Sequence, residues 1–388
     1  MKFLHTADWH VGRKLHGYDL STEQADALRK LEKIAIDEKV DAIVIAGDIY
    51  DRGMPSEDSV RMVNGALKKL NLEDGFPLLA ISGNHDSAER LSTGSEWFEA
   101  TSFYLHTKLE RAAEPIEMSG VQFFLMPYFE ISAAKNFLGD ETLKTADQCV
   151  RRIVSLMKER FKDGFKHVLV GHFFAVGSLK SDSETPSEVG GLEAVGIDEL
   201  ECFDYVALGH LHQHRASKSE KVKYSGSLLK YSVSETSDQK GVYVVDTDSE
   251  TIAYKPLEPL NDVRVVKGLF ENLIKPEIYR QIPDDDYVAV ELEDRVPIID
   301  VMNRLKKYYP RIIELKRVNG RVNHENNGVK NLEKLSEMDL FKTFYKDTVG
   351  EDPDEEQCKM MEQALQDVRN GGKINETFEI KNEEFWTL

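Results

Sequence analysis

The run Ala42-Ile43-Val44-Ile45-Ala46-Gly47-Asp48-Ile49-Tyr50-Asp51-Arg52 decides the fold. Its five continuous apolar residues read as a strand buried on both faces, and the strand stops abruptly at Gly-Asp. Upstream, Leu20 to Glu38 carries Leu28, Leu31, Ile34 and Ala35 at helical spacing, and Lys2 to His5 is a short strand. Downstream, Ser56 is a cap for a helix with Val60, Val63, Leu67 and Leu70 on one side, and Leu78 to Ile81 is a second buried strand. The pattern repeats after Val121–Met126, with a helix around Ala146–Phe161 and strands at Val168–Val170 and Tyr205–Leu208. Val222–Tyr224 and Gly241–Val245 read as antiparallel strands. The chain is therefore expected to be an α/β sandwich, parallel early and mixed late.

A chain of 388 residues suits two domains plus an appendage, at roughly 100–200 residues per domain. The proline-flanked Pro256–Pro259 marks a boundary, so residues 1–258 form the first domain. Residues 259–318 form a small α+β unit with strands at Val263–Val266, Tyr287–Leu292 and Ile312–Leu315 and a helix around Ile298–Tyr308. The Asn- and Gly-rich Val318–Lys330 reads as a linker, and residues 319–388 as linker plus helical tail. At 41% hydrophobic, the chain has material for a sizeable core, which excludes a disordered or fibrous protein. Its net charge of −19 argues against holding nucleic acid by bulk charge but leaves room for a local basic groove. Cys149, Cys202 and Cys358 are too sparse for a disulfide framework or a thiolate zinc site. No run reaches the ~18 apolar residues of a membrane span, and the start MKFLHTADWH lacks a signal-peptide core. The expected location is the cytoplasm.

The chemistry sits where strands end. Asp8-Trp9-His10 follows the first strand, Gly47-Asp48 the second and Gly83-Asn84-His85-Asp86 the third; Gly171-His172 and Gly209-His210-Leu211-His212 follow two later ones. In open α/β sheets, ligands bind at the carboxyl ends of strands. The set Asp8, His10, Asp48, Asn84, His172, His210 and His212 offers oxygen and nitrogen without thiolate, which suits pairs of Mn, Fe or Zn better than Ca or Mg. Seven ligands for two ions imply a shared one, and a carboxylate can bridge where neutral imidazole cannot. Two such ions can activate a water and neutralise charge on a phosphoryl group. A lone D-x-H or H-x-H is weak evidence; all five motifs in this order are strong.

Together, D-x-H, G-D-x-x-D-R, G-N-H-D, G-H and G-H-x-H resemble the calcineurin-type metallophosphoesterase superfamily, a β-sandwich flanked by helices. The opening D-W-H-x-G, the block A-G-D-I-Y-D-R and the segment Tyr224 to Glu235 (Y-S-G-S-L-L-x-Y-S-x-S-E) resemble its DNA-nuclease branch. The resemblance covers Met1 to about Arg317 well and the tail only in outline. It implies one ion on Asp8, His10 and His212 and another on Asn84, His172 and His210, with Asp48 bridging. It also implies that His85 is catalytic rather than a ligand, facing the scissile phosphate, with Asp86 fixing the His85 tautomer or the loop. Asp51 lies where some relatives carry a catalytic histidine; this chain departs there, so Asp51 keeps only a loop-fixing or phosphate-orienting role. The implied activity is manganese-dependent, 3′→5′ exonucleolytic on duplex DNA and endonucleolytic on single strands or hairpins, in DNA repair, recombination and replication. The implied assembly is a homodimer within a heterotetramer with a coiled-coil ATPase, the α+β unit capping the DNA.

Arg13, Arg52, Arg90 and Lys230 flank motif loops and are candidates for a DNA-binding rim. Trp9 is expected as a lid over the metal loop. His5, His16, His106, His167, His214 and His324 read as ordinary surface or core histidines, with His214-Arg215 an outside candidate for a phosphate contact. The rival to a nuclease is a phosphoesterase acting on small molecules or phosphoproteins. Against it stand Val11 where phosphatases of the superfamily carry Gly, Asp86 where many have Glu, and the α+β unit. A non-catalytic scaffold is disfavoured by the complete ligand set. In the tail, Met338, Phe341, Phe344 and Tyr345 form one apolar face, and Cys358, Met361, Leu365 and Val368 a heptad-like seam. Such short helices are marginal alone, so they either fold back on the core or, as the resemblance implies, dock on the partner ATPase.

Overall fold

The computed structural model describes residues 1–175, 194–318, 336–349 and 352–369. Most of the expected linker, together with His324, lies outside them. The chain forms two compact units. Of the described residues, one holds those of Met1–Val265, Pro283–Ala289 and Arg311–Glu314; the other holds Val266–Ile282, Val290–Pro310 and those from Leu315 onward.

The first unit is built on two sheets. A six-stranded sheet orders Thr251–Pro256, Gly241–Asp246, Lys2–Thr6, Ala42–Ala46, Leu78–Ile81 and Phe103–His106. From Lys2–Thr6 to Phe103–His106 neighbours run parallel, and Gly241–Asp246 returns antiparallel to Lys2–Thr6. A five-stranded sheet orders Val222–Tyr224, Tyr205–Gly209, Lys166–His172, Val121–Met126 and Ile116–Met118. The apolar run at 42–46 shows why neither face of its strand can be polar. Ala42, Val44 and Ala46 pack between the sheets with Phe123, Leu125, Val168 and Ala207. Ile43 and Ile45 belong to an outer core with Leu28 and Leu31 of the helix Ser21–Glu38 and Val63 of the helix Glu57–Lys68. Ser56 caps the latter helix, its Oγ accepting from the Ser59 N–H at 3.2 Å.

One direction differs from expectation. Val222–Tyr224 pairs parallel to Tyr205–Gly209, with Val206 opposite Val222. The intervening residues 210–221 carry the chain back to the end where the preceding strand began, so it re-enters in the same sense. The strands Phe103–His106, Ile116–Met118 and Thr251–Pro256, and the small hairpin of Lys14–Leu15 with Tyr18–Asp19, extend what the sequence pattern indicated.

Further along, Val263–Gly268, Tyr287–Leu292 and Ile312–Arg317 form a three-stranded sheet, with the short helices Phe270–Leu273, Pro276–Tyr279 and Val301–Leu305 between them in sequence. The tail holds the helices Glu337–Val349 and Glu355–Arg369. Among the residues whose side chains are described, none beyond Ile313 is buried, and Phe344 is 69% exposed. No helix among them is long and apolar enough to cross a membrane.

Candidate metal centre

The strands bearing the motifs are parallel within each sheet, and their carboxyl ends bring the seven candidate ligands together. Asp8 Oδ1 accepts the His210 N–H at 2.9 Å across the two sheets. His10 Nε2 lies 3.1 Å from His212 Nε2, both rings buried. Asn84 Oδ1 stands 2.9 Å from His172 Nε2 and 3.1 Å from His210 Nδ1. Asp48 lies between these groups, with Oδ2 3.6 Å from His10 Nε2 and 3.3 Å from His172 Nε2. Its Oδ1 accepts the His85 N–H at 2.8 Å. Close backbone approach makes this possible: a Cβ on Gly83 would fall 2.4 Å from the Asp48 nitrogen, and one on Gly209 2.1 Å from the Ala46 carbonyl oxygen. Asp8, His10, Asp48 and His210 all have positive φ, between 44° and 90°. Left-handed backbone at non-glycine residues costs about 1–3 kcal/mol each and clusters at functional sites. Nothing in the sequence pattern signalled it.

The donor set fits divalent metal. Two nitrogen ligands about 2.1 Å from one ion lie roughly 3–3.5 Å apart, the spacing of the two facing Nε2 atoms. Carboxylate and imidazole atoms of Asp8, His10 and His212 form one compact triad, and those of Asp8, Asp48 and His172 another. A third, His10 with Asp51 and His85, draws in two residues that sequence kept out of the ligand set. The tautomers suit coordination as well. His172 Nδ1 donates to the Ala46 carbonyl at 2.8 Å, leaving Nε2 toward Asp48 and Asn84.

Burial and charge compete throughout. Burial works against the Asp48 carboxylate, but His172 and His10 outweigh it and hold the group far below the usual carboxylate range. Burial likewise opposes the His172 cation, yet the Asp48 carboxylate lifts the ring to about 9. His10 is driven well below 6.5 by burial, against the pull of Asp48. Asp86 is pushed up to about 6 by burial and by the Asp48 charge, against the N–H groups it accepts.

Those N–H groups define what Asp86 does. Its carboxylate accepts from Ile49, Tyr50 and Gly83 at 3.2, 2.9 and 3.0 Å, tying two motif loops together. The His85 ring is held instead by the Asp51 carbonyl, which accepts from Nδ1 at 2.9 Å. The Asp51 carboxylate gathers Arg13 at 3.5 Å and Arg52 at 3.4 Å, and Arg90 donates to the Gly53 carbonyl at 2.8 Å. Three of the four rim candidates thus surround one loop.

Lys230 does not join them. Its side chain is 12% exposed and donates to Asp262 Oδ1 and the Thr236 carbonyl, both at 2.8 Å, so an internal ion pair consumes it. Trp9 is no lid either. It is fully buried, donates from Nε1 to Thr6 Oγ1 at 2.9 Å, and accepts at its carbonyl from the Tyr231 hydroxyl. An indole with its N–H satisfied inside the core gains more from burial than from solvent. His214 stacks on Tyr254 at 3.8 Å, and burial lowers it to about 4, as befits a neutral packed ring.

Sequence reasoning missed a supporting layer. Gln24 donates to the His10 carbonyl at 2.8 Å and accepts the Gly12 N–H at 3.1 Å. Glu235 Oε1 faces His212 Nδ1 at 3.5 Å, and Lys240 reaches Glu235 Oε2 at 2.6 Å. Glu235 closes the segment that carried the resemblance, which was its one available signal; Gln24 and Lys240 belong to no motif.

Residues 1–214 match the calcineurin-like phosphoesterase family, and residues 259–349 match the Type 5 capsule protein repressor C-terminal domain. The chain is 36% identical over 350 residues to the D subunit of the nuclease SbcCD of Staphylococcus epidermidis, spanning 89% of this chain and 93% of that one. Among solved structures, a dimetal phosphatase from Danio rerio is 13% identical with a TM-score of 0.38, covering 67% of this chain and 98% of its own. The protein TT1561 of Thermus thermophilus is 13% identical with a TM-score of 0.37, covering 66% and 99%. The chain therefore belongs to the calcineurin-like phosphoesterases, metal-dependent hydrolases of phosphate esters, and within them to the SbcD family of nuclease subunits.

Proposed function

We propose that this chain is the nuclease subunit of an SbcCD-type complex, hydrolysing DNA phosphodiester bonds with two divalent ions, Mn²⁺ in the first instance. It acts in the cytoplasm as 3′→5′ exonuclease on duplex DNA and endonuclease on single strands or hairpins. One observation carries the reading: a single buried carboxylate oxygen, Asp48 Oδ2, stands 3.6 Å from a ligand of one set and 3.3 Å from a ligand of the other. Asp8, His10 and His212 would hold one ion, Asn84, His172 and His210 the other, with Asp48 shared. Bound ions would supply Lewis acidity and a nucleophilic water at neutral pH.

The remaining work belongs to the chain. His85, with Nδ1 committed to the Asp51 carbonyl, uses Nε2 to donate a proton to the leaving 3′ oxygen. Asp86 holds the loops carrying Asp48 and Asn84 in one register. Arg13 and Arg52, gathered at Asp51, and Arg90 nearby orient the phosphate backbone, which lets a −19 chain bind DNA locally.

In this reading residues 1–258 are the nuclease domain, 259–318 cap the DNA, and 319–388 reach an SbcC-type coiled-coil ATPase within a heterotetramer built on a homodimer. Two short helices, with apolar faces at Met338, Phe341 and Phe344 and at Met361 and Leu365, suit docking on such a partner. The test is Mn²⁺ titration of purified protein with nuclease assays on blunt, hairpin and single-stranded DNA. Two equivalents of metal and metal-dependent cleavage are expected. Hydrolysis of small phosphodiesters without cleavage of any DNA would favour the small-molecule alternative.

A further inference from the structure

The structure assigns a positioning role to Glu235 and Lys240, which together form a closed clamp fixing His212 with its proton on Nδ1 and its Nε2 turned toward His10. This inference rests on the two-metal reading above. The clamp closes on itself. Lys240 Nζ donates to the His212 carbonyl at 2.8 Å and to Glu235 Oε2 at 2.6 Å, and Glu235 Oε1 faces the ring nitrogen of the same histidine at 3.5 Å. His212 is thus gripped at its main chain and at its ring by one ion pair.

Stability alone does not account for the pair. Glu235 and Lys240 are both buried, and an interior ion pair generally contributes no more than a well-packed apolar pair would. What a carboxylate adds is the chemistry of its oxygens. An ionised carboxylate only accepts, so the imidazole nitrogen that meets it must carry the proton. His212 Nε2 then keeps its lone pair, 3.1 Å from His10 Nε2. At His172 the Ala46 carbonyl does the same job, out of reach of side-chain substitution. Glu235 is the place where one ligand's tautomer can be altered by a near-isosteric change.

Glu235→Gln makes the clamp testable, because the two carboxylate oxygens differ: Oε1 meets the Ser232 hydroxyl at 3.3 Å as well as His212, and a hydroxyl can accept from an amide as readily as it donates. Oε2 receives both the Lys240 ammonium and the Tyr231 N–H at 3.3 Å, so the amide oxygen must occupy that side. The NH₂ group is left facing His212 Nδ1, which becomes an acceptor, and the ring proton moves to Nε2. The side chain stays nearly isosteric, and His212 Nε2 must give up a proton before it can bind an ion.

Mn²⁺ alone is titrated into full-length wild-type and Glu235→Gln protein by calorimetry. In parallel, nitrogen-15 histidine spectra of both metal-free proteins report ring tautomers, the His212 signal being assigned by its loss in His212→Asn. Expected are two equivalents in the wild type, a loss of about 10–100-fold in affinity for one equivalent in the variant, and a switch of His212 from Nδ1–H to Nε2–H. A general loss of structure would not produce that switch. Variant affinities within twofold of wild type, or wild-type His212 carrying its proton on Nε2, would overturn the clamp; the second result needs no variant to fold. Wild-type protein that takes up no Mn²⁺ would instead overturn the metal reading itself.

Discussion

Asp48→Asn probes the centre of the site with almost no change in shape. The His85 N–H still finds an acceptor at the position of Oδ1, where it now lies 2.8 Å away. What disappears is the charge 3.3 Å from His172 Nε2 and 3.6 Å from His10 Nε2. That charge overcomes burial to raise His172 from 6.5 to about 9. At about 1.4 kcal/mol per pH unit, this is worth roughly 3 kcal/mol in the metal-free protein, the scale expected for breaking a buried pair. The sign follows from both partners. A histidine raised in the folded state stabilises below its unfolded value and loses that contribution as pH rises through about 9. The depressed Asp48 stabilises above its unfolded value of 3.8 and loses that contribution in acid. Urea unfolding of chelator-treated protein should therefore show the largest wild-type advantage between about pH 4 and 6.5, declining from 6.5 and gone above about 9. In the same variant, calorimetry with Mn²⁺ should find both equivalents weakened and nuclease activity lost. Two unweakened equivalents, or a stability difference flat from pH 5 to pH 10, would refute the shared-carboxylate reasoning.

His85→Leu should keep both metal equivalents and DNA affinity while turnover falls by about 10²–10⁴, the usual scale for a lost general acid; loss of metal in this variant would make His85 a ligand. Replacing Arg13, Arg52 and Arg90 by Gln should weaken duplex binding and flatten its salt dependence by about one unit of slope per phosphate contact removed. Lys230→Met should leave that slope unchanged, because Lys230 is spent on Asp262; a changed slope would return it to the DNA rim. Phe341→Asp combined with Phe344→Asp should abolish co-purification with the ATPase while Mn²⁺-dependent cleavage by the isolated chain persists. Normal recovery of the ATPase would point to another docking surface.

How much of this was legible in sequence depended on whether chemistry fixes the identity of a residue. A strand covered on both faces must be apolar throughout, so Ala42–Ala46 and Leu78–Ile81 announced themselves. Strand direction carries no such mark; the parallel entry of Val222–Tyr224 depends on the path of a loop, which composition does not record. Nearness to a motif misled for Lys230, because Asp262, 32 residues on, claims its ammonium. The candidate ligands stood out because a metal site requires imidazoles and carboxylates at strand ends, and little else will serve. The layer behind them has a looser requirement: an acceptor at the right distance. For His172 and His85 that acceptor is a main-chain carbonyl, of Ala46 and of Asp51, which any residue could provide. For His212 it is the carboxylate of Glu235, 23 residues away and placed by Lys240. The same job done by a peptide oxygen leaves no trace in sequence, so a side chain enlisted for it becomes visible only once the fold has put it behind the ring.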